Sequence, residues 1–368
     1  MYDALIVGAG FAGSVSAQIL AQKGFKVLVL EERDHIGGNC YDELVNGVLV
    51  HRYGPHLFHT SDEEVWEFLS QFTKWTSYEH HVKAHIDGLN VPIPFNFNSI
   101  CKLFEPNKAD ELIKRLLKYY KLDTKVPILE LKKHPDLLLQ KLADFVYEKV
   151  FLGYTAKQWG LKPEELDSAV TARVPLFIGW DDRYFNDTFQ AVPKDGYTKL
   201  FENLLNHPNI TLKLSCVFEL DAKFDGVIVY TGMIDRLFNY CHKELSYRSI
   251  NLEFETVDKK WFQDAPTINF PNNYDFTRIT EFKHIHPSNS PKTVILKEYP
   301  TLHVKGKTEP FYPFFTKEAK EHYLKYVKLA KEHPNLVLLG RLAEYRYYDM
   351  DDVVKRSLQV ANNLSIKS

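Results

Sequence analysis

Two short apolar runs, Ala4 to Val7 and Lys26 to Leu30, flank a stretch in which Val15, Ile19 and Leu20 recur at helical spacing before Gly24, a C-cap residue. This pattern predicts a strand, a helix from about Gly13 to Lys23, and a second strand. Between the first strand and the helix stands Gly8-Ala-Gly10-Phe11-Ala12-Gly13, and the second strand ends on Glu31. Gly8 permits the tight turn, Gly10 leaves room for a pyrophosphate against the backbone, and Gly13 lets the helix approach the strand with its N-terminus toward the phosphates. Glu31 is placed to meet ribose hydroxyls. Strand, helix, strand and terminal acid in one register predict a βαβ unit that binds an adenine dinucleotide.

Downstream, Arg33 and the Gly37-Gly38-Asn39 turn suit a second close approach to phosphate, which an NAD unit does not require. His51 to Thr60 reads as a strand end and a Gly-Pro turn carrying His56 and His59. Ser61-Asp-Glu-Glu64 reads as a capping box ahead of a helix with Val65, Trp66, Phe68, Leu69 and Phe72 on its apolar side. Val82 to Ile86 and Asn90 to Pro94 form a hairpin across Asp87-Gly88, at an edge because of its prolines. From 98 to 153 the pattern is helical, and Phe151 to Gly160, aromatic and bounded by glycines, reads as a linker able to act as a lid. A helix is expected over Thr198 to Asn206 and strands at Ile210 to Leu214 and Gly226 to Tyr230. Further strands over Leu252 to Val257, Thr277 to Lys283 and Thr293 to Glu298 alternate as in an antiparallel sheet. Arg278 lies inside one of them, which requires a partner or a polar cleft, and the cleft is favoured. Leu336 to Leu339 meets Gly340-Arg341, and Asp349-Met350 opens a final helix, so both chain ends serve one nucleotide site.

The fold class expected is α/β: a Rossmann-like FAD-binding domain in discontinuous segments (1–75, 187–250, 330–368), a helical insertion (98–153) with a mobile loop (153–170), and an antiparallel sheet domain for substrate (76–97, 171–186, 251–329). Composition changes this little. The chain has 368 residues, 45% of them hydrophobic, enough for a sizeable core. A net charge of −2 gives no basic field for nucleic acid or an anionic membrane. The four cysteines have no Cys-x-x-Cys spacing, and neither His80-His81 nor His284 with His286 has a ligand set around it, so no metal site is expected. No run approaches the roughly 18 apolar residues of a membrane span, and Met1 leads directly into a strand, so a cytoplasmic protein is expected.

Taken together, the glycine motif with Glu31, Gly37-Gly38-Asn39, Tyr53-Gly-Pro-His56-Leu-Phe-His59-Thr, Gly153-Tyr154-Thr-Ala-Lys-Gln-Trp159-Gly160 and Gly340-Arg-Leu-Ala-Glu-Tyr-Arg-Tyr-Tyr-Asp349-Met resemble the bacterial UDP-galactopyranose mutases along essentially the whole chain. The resemblance implies an FAD isomerase, usually a homodimer, that interconverts UDP-galactopyranose and UDP-galactofuranose for cell-surface polysaccharide. It implies a covalent adduct of the sugar with N5 of the reduced flavin, the reductant being NADPH or NADH.

It further implies that Arg173 and Arg278 clamp the diphosphate, a task suited to the planar guanidinium, with Tyr184, Tyr312 and Tyr347 donating to the same oxygens. Tyr154 would stack on uracil, Asn269 meet its edge and Trp159 close over the ligand, while His56 and His59 lie by flavin and sugar. Cofactor contacts would come from Gly8, Gly10, Phe11, Ala12, Gly13, Glu31, Glu32, Arg33, Gly38, Asn39, His56, Arg248, Gly340, Arg341, Tyr348, Asp349 and Met350. The chain departs from the family pattern at Phe177, where a second arginine is expected, and at Asp275-Phe276 before Thr277-Arg278, one residue short. These changes leave open whether an N-acetylated galactose is also accepted. The rival readings are an FAD oxidoreductase of the amine-oxidase or desaturase kind, which has no need for two arginines beside a tyrosine cluster, and a non-catalytic nucleotide-binding protein.

Overall fold

A computed structural model describes residues 1–160, 175–220 and 224–365. The strands Ala4–Val7 and Val27–Leu30 lie side by side and in parallel, as their apolar runs require. They belong to a five-stranded parallel sheet in the order Ile210–Lys213, Val27–Leu30, Ala4–Val7, Val227–Tyr230, Leu336–Leu338. The helix Phe11–Gln22 is buried on every side from Phe11 to Ala21, not on one face only. It lies between this sheet and the helices Tyr197–Leu205 and Met350–Asn363, which together form the largest core. Its buried hydroxyls are satisfied within the segment, Ser14 donating to the Ala9 carbonyl (3.1 Å) and Ser16 to that of Ala12 (2.8 Å). Lys23 ties the chain's two ends by donating to the carbonyls of Ala361 (3.2 Å) and Asn362 (2.8 Å).

A seven-stranded sheet stands beside it, in the order Tyr312–Pro313, Tyr247–Val257, Thr293–Leu302, Arg278–Glu281, Thr267–Asn269, Val82–Ile86, Leu89–Ile93. Its pairs are antiparallel except Thr267–Asn269 against Val82–Ile86. The expected hairpin is present: Ile86 faces Leu89, Asp87 and Gly88 both have positive φ (48° and 85°), and its proline-bearing strand is at the sheet edge. A three-stranded sheet, with Phe189–Pro193 between Phe58–Thr60 and Trp75–Ser77, sets His59 opposite Gln190.

The segment after the hairpin is mainly helical (Phe97–Leu103, Pro106–Tyr119, Leu137–Val146) and shares a core with the hairpin's Val82, Val91 and Ile93. It also contains the strand Thr124–Pro127, paired with Pro175–Ile178, which the helical pattern did not predict. The larger correction concerns Phe151 to Gly160. Instead of a linker, a π-helical turn, Tyr147–Leu152, continues into the helix Gly153–Trp159, which ends where Gly160 takes φ 70°. Residues 161–174, which include Arg173 and the rest of the expected lid, lie outside the described residues, as does the side chain of Trp159. Among the described residues no helix is long and apolar enough to cross a membrane.

Candidate active site

The glycine motif forms a cradle of backbone. A Cβ on Gly13 would sit 1.9 Å from the Gly8 carbonyl oxygen, and one on Gly38 would be 3.0 Å from the Gly10 Cα. Only glycine permits these approaches, and they leave open backbone at the N-terminus of Phe11–Gln22, where no side chain caps the helix. Glu31, buried at the strand end, accepts from the amides of Ala9 (2.7 Å) and Arg33 (3.0 Å), so it fixes the cradle's two rims. Arg33 donates to Asn39 (3.1 Å), pairs with Glu309 (2.7 Å) and covers the Tyr53 ring at 4.2 Å. Glu32 pairs with Arg236 (2.7 Å).

The tail meets this cradle as expected: a Cβ on Gly340 would lie 3.0 Å from that of Ala12. Arg341 donates to the Tyr348 carbonyl (Nε, 3.1 Å) and lies 5.4 Å from the Tyr347 ring. Asp349 is the N-cap of Met350–Asn363, and its amide is held by the Asp352 carboxylate (3.1 Å). The Met350 sulfur accepts from Cys40 (3.7 Å), whose thiol pKa burial pushes far up.

The second group of expected residues converges on the seven-stranded sheet. Arg278 opens its strand, paired in register with Asn269 on one side and Glu298 on the other. Its Nε lies 2.8 Å from the carboxylate of Glu298, which is only 2% exposed, while the arginine side chain is 32% exposed. The position therefore meets both requirements of an arginine in a strand, a partner and an open side. Burial opposes the charge, but Glu298, Tyr154 and Tyr312 together outweigh it and the guanidinium pKa rises. The Asn269 Oδ1 is buried without a hydrogen-bond partner.

Burial raises the Tyr154 hydroxyl to about 12 and that of Tyr312 higher still, with Arg278 opposing both shifts, so these tyrosines and the cation lie within electrostatic reach of one another. Both are neutral hydroxyl donors at physiological pH. The Tyr312 and Tyr347 rings lie 6.2 Å apart, and the Gln158 amide donates to the Tyr312 hydroxyl. Tyr184 adds to the field at Tyr154. Arg248, 4% exposed, lies under the helix Gly153–Trp159 and donates to the Lys157 carbonyl (3.3 Å). Phe177 is buried in the Pro175–Ile178 strand, so no cation stands there.

The two expected histidines differ. His59 stacks on Phe185 (3.7 Å) and pairs through Nδ1 with Asp187 (2.9 Å). Burial lowers His56 to about 4, so it is neutral, and its ring bonds the Gly54 carbonyl (2.8 Å). The His56 amide donates to Nδ1 of His51 (2.9 Å), so the proton of this buried imidazole is on Nε2, which donates to Nε2 of His286 (3.0 Å). His51, His286, Asp187 and Glu298 were missed by sequence reasoning. All four meet partners distant in the sequence through tertiary pairing, and only Glu298, an acid in an apolar strand, left a trace in the pattern. No group of three or more metal-ligating side chains is assembled among the described residues.

Cradle, helix N-terminus and Glu31 define a dinucleotide-binding protein of the Rossmann class, and the sequence profile of the NAD(P)-binding Rossmann-like domain matches residues 6–72. The profile of UDP-galactopyranose mutase matches residues 149–347. The chain is 35% identical over 383 aligned positions to the UDP-galactopyranose mutase of Mycoplasma pneumoniae, covering 99% of this chain and 96% of that one. It is 34% identical to the dTDP-fucopyranose mutase of Escherichia coli, covering 98% of each. A crystal structure of reduced UDP-galactopyranose mutase superimposes with a TM-score of 0.72 at 14% identity, covering 98% of this chain and 93% of that one, which bears on the fold. The chain belongs to the UDP-galactopyranose mutase family, and is an isomerase.

Proposed function

We propose that the enzyme interconverts UDP-galactopyranose and UDP-galactofuranose in the cytoplasm as a homodimer holding FAD, supplying furanose for surface polysaccharide. The observation that carries this reading is that Arg278, Tyr154 and Tyr312 lie within electrostatic reach of one another, which we read as one cleft holding a cation and neutral hydroxyls of the kind a diphosphate needs. An oxidase of amines or apolar substrates has no use for that set.

The cradle suits FAD, because the close approaches of Gly10 to Gly38 and of Gly340 to Ala12 bring the glycine motif, the Gly37-Gly38 turn and the Gly340-Arg341 segment together at one helix N-terminus. Gly8, Gly10, Phe11, Ala12, Gly13, Gly38 and Asn39 would hold the pyrophosphate end, Glu31 with Glu32 and Arg33 the adenosine end, and His56, Arg248, Gly340, Arg341, Tyr348, Asp349 and Met350 the ring and its chain. When bound and reduced by NADPH or NADH, the flavin supplies the nucleophile for the anomeric carbon. Arg278, with Arg173, neutralises the departing UDP, and Tyr184, Tyr312 and Tyr347 bond its oxygens. Tyr154 stacks on the base, Asn269 meets its edge, Trp159 covers the ligand, and His59 orders the sugar hydroxyls.

The test is one preparation. The purified protein is expected to carry a flavin spectrum and, after dithionite, to convert UDP-galactopyranose to the furanose; UDP-N-acetylgalactosamine is assayed in parallel. Lack of flavin, or turnover only when oxidised, overturns the reading. Arg278→Lys keeps a charge opposite Glu298 but loses the fork, and is expected to lower kcat/KM by about 100-fold with flavin retained. Release of FAD by that variant would instead put Arg278 at the cofactor.

A further inference from the structure

We infer that Lys157 is a positioning residue that sets the separation of the two walls of the nucleotide cleft, the helix carrying Tyr154 and the turn joining Asn269 to Arg278. The inference rests on the cleft reading given above. Lys157 Nζ reaches across from Gly153–Trp159 and donates to the backbone carbonyls of Phe270 (2.5 Å), Tyr274 (2.9 Å) and Phe276 (3.2 Å). An ammonium has three donors, and all three end on one turn, so the turn is folded around the charge. That turn begins directly after Asn269 and ends two residues before Arg278. It is also the stretch where this chain is one residue short and carries Asp275-Phe276.

Two further contacts fall on the same face of the helical segment, four and eight residues earlier. The Lys149 carbonyl accepts from the Asn272 amide (2.8 Å). Gly153 lies flat against the turn, since a Cβ there would come within 2.3 Å of the Pro271 carbonyl oxygen and 2.8 Å of Asn272 Oδ1. On the other side, Gln158 donates to Tyr312, and the Lys157 carbonyl accepts from Arg248 (3.3 Å). The last turn of this helix is thus fixed to two sheet strands and to the turn between Asn269 and Arg278, and Lys157 supplies three of the points at which that turn is held. Loss of its ammonium frees that turn and moves the base-edge acceptor of Asn269 relative to Tyr154. A change of this kind weakens ground-state binding of the nucleotide and leaves the chemistry at the sugar in place.

The experiment compares wild type, Lys157→Met and Lys157→Arg as flavin-loaded enzymes, reading UDP affinity by calorimetric titration, then KM and kcat for UDP-galactopyranose after reduction. Lys157→Met is expected to raise the Kd for UDP and the KM about tenfold, with kcat within about threefold, and the flavin spectrum unchanged. Lys157→Arg keeps the charge and recovers part of the loss. Unchanged UDP affinity in Lys157→Met, or a fall in kcat at constant KM, overturns the inference. If Lys157→Met does not fold, Lys157→Gln, which keeps two donors, carries the same test. Wild type that binds UDP but does not turn over UDP-galactopyranose would overturn the substrate assignment and leave the Lys157 measurement intact; absence of UDP binding would overturn both.

Discussion

Arg278 and Glu298 show how much one pair can demand of a cleft. A carboxylate buried to this degree costs several kcal/mol unless a cation meets it, and Arg278 is that cation at 2.8 Å. Removing the arginine alone strands the charge, so Arg278→Met is expected to lower stability by about 3–5 kcal/mol. The double variant with Glu298→Gln, which removes the stranded charge too, should recover most of that loss. Urea denaturation of the two flavin-loaded variants checks this; equal losses in both would mean that Glu298 does not depend on its partner. From sequence, Arg278 was recognisable as a costly residue in a strand, because strand and charge are both local facts. Its partner was not, since the pairing of Arg278 with Glu298 is a register between strands whose loops and lengths do not determine it.

Elements with their own signals were legible, and those shaped by neighbours were not. The Asp87-Gly88 hairpin and the strands of the dinucleotide unit follow from turn chemistry and apolar runs. The helix Gly153–Trp159 was read as a loop because glycines bound it and because the preceding π-helical turn shifts the apolar period by a residue, so a period of 3.6 cannot be followed through it. Gly153 is there for close approach to Pro271, a tertiary reason. The helix Glu63–Ser70 gives a smaller case. Ser61 is the expected cap, yet Asp62 is the N-cap, its Oδ1 accepting from the Val65 amide (3.2 Å). The Ser61 hydroxyl is instead engaged with Asp187 (3.3 Å) and the Thr188 amide (3.2 Å). Asp62→Ala is therefore expected to cost about 1 kcal/mol and Ser61→Ala less, as read by thermal unfolding; the reverse order would restore Ser61 as the cap.

On the scale of the whole molecule, the sheets are held together around neutral imidazoles, and this gives stability a defined pH dependence. His51, His80 and His286 are all buried, and His51 donates to His286 across the join of the Asp42–His51 hairpin and the segment after Arg278–Glu281. Burial lowers His80 to about 3 and His286 to about 4, and pushes His51 well down, His286 and His56 adding to that last shift. An unfolded histidine titrates near 6.5. Between about pH 6.5 and 4 the unfolded chain thus binds protons that the fold refuses, so stability is fully present above pH 6.5 and is lost as pH falls. Each such group contributes a slope of up to about 1.4 kcal/mol per pH unit. His284 acts in the opposite sense, because Glu281 and the Gln263 carbonyl together outweigh burial and raise its pKa, but it is one group against these three and against His56 and His303, which burial lowers too. The free energy of urea unfolding is therefore expected to decline steadily from pH 6.5 toward 4. His286→Gln, whose side-chain oxygen can still accept from His51, should remove close to one proton's share of that slope while costing little at pH 7.5. A slope unchanged in His286→Gln would mean that His286 is already protonated in the fold, and the proton order deduced for His56, His51 and His286 would have to be reversed.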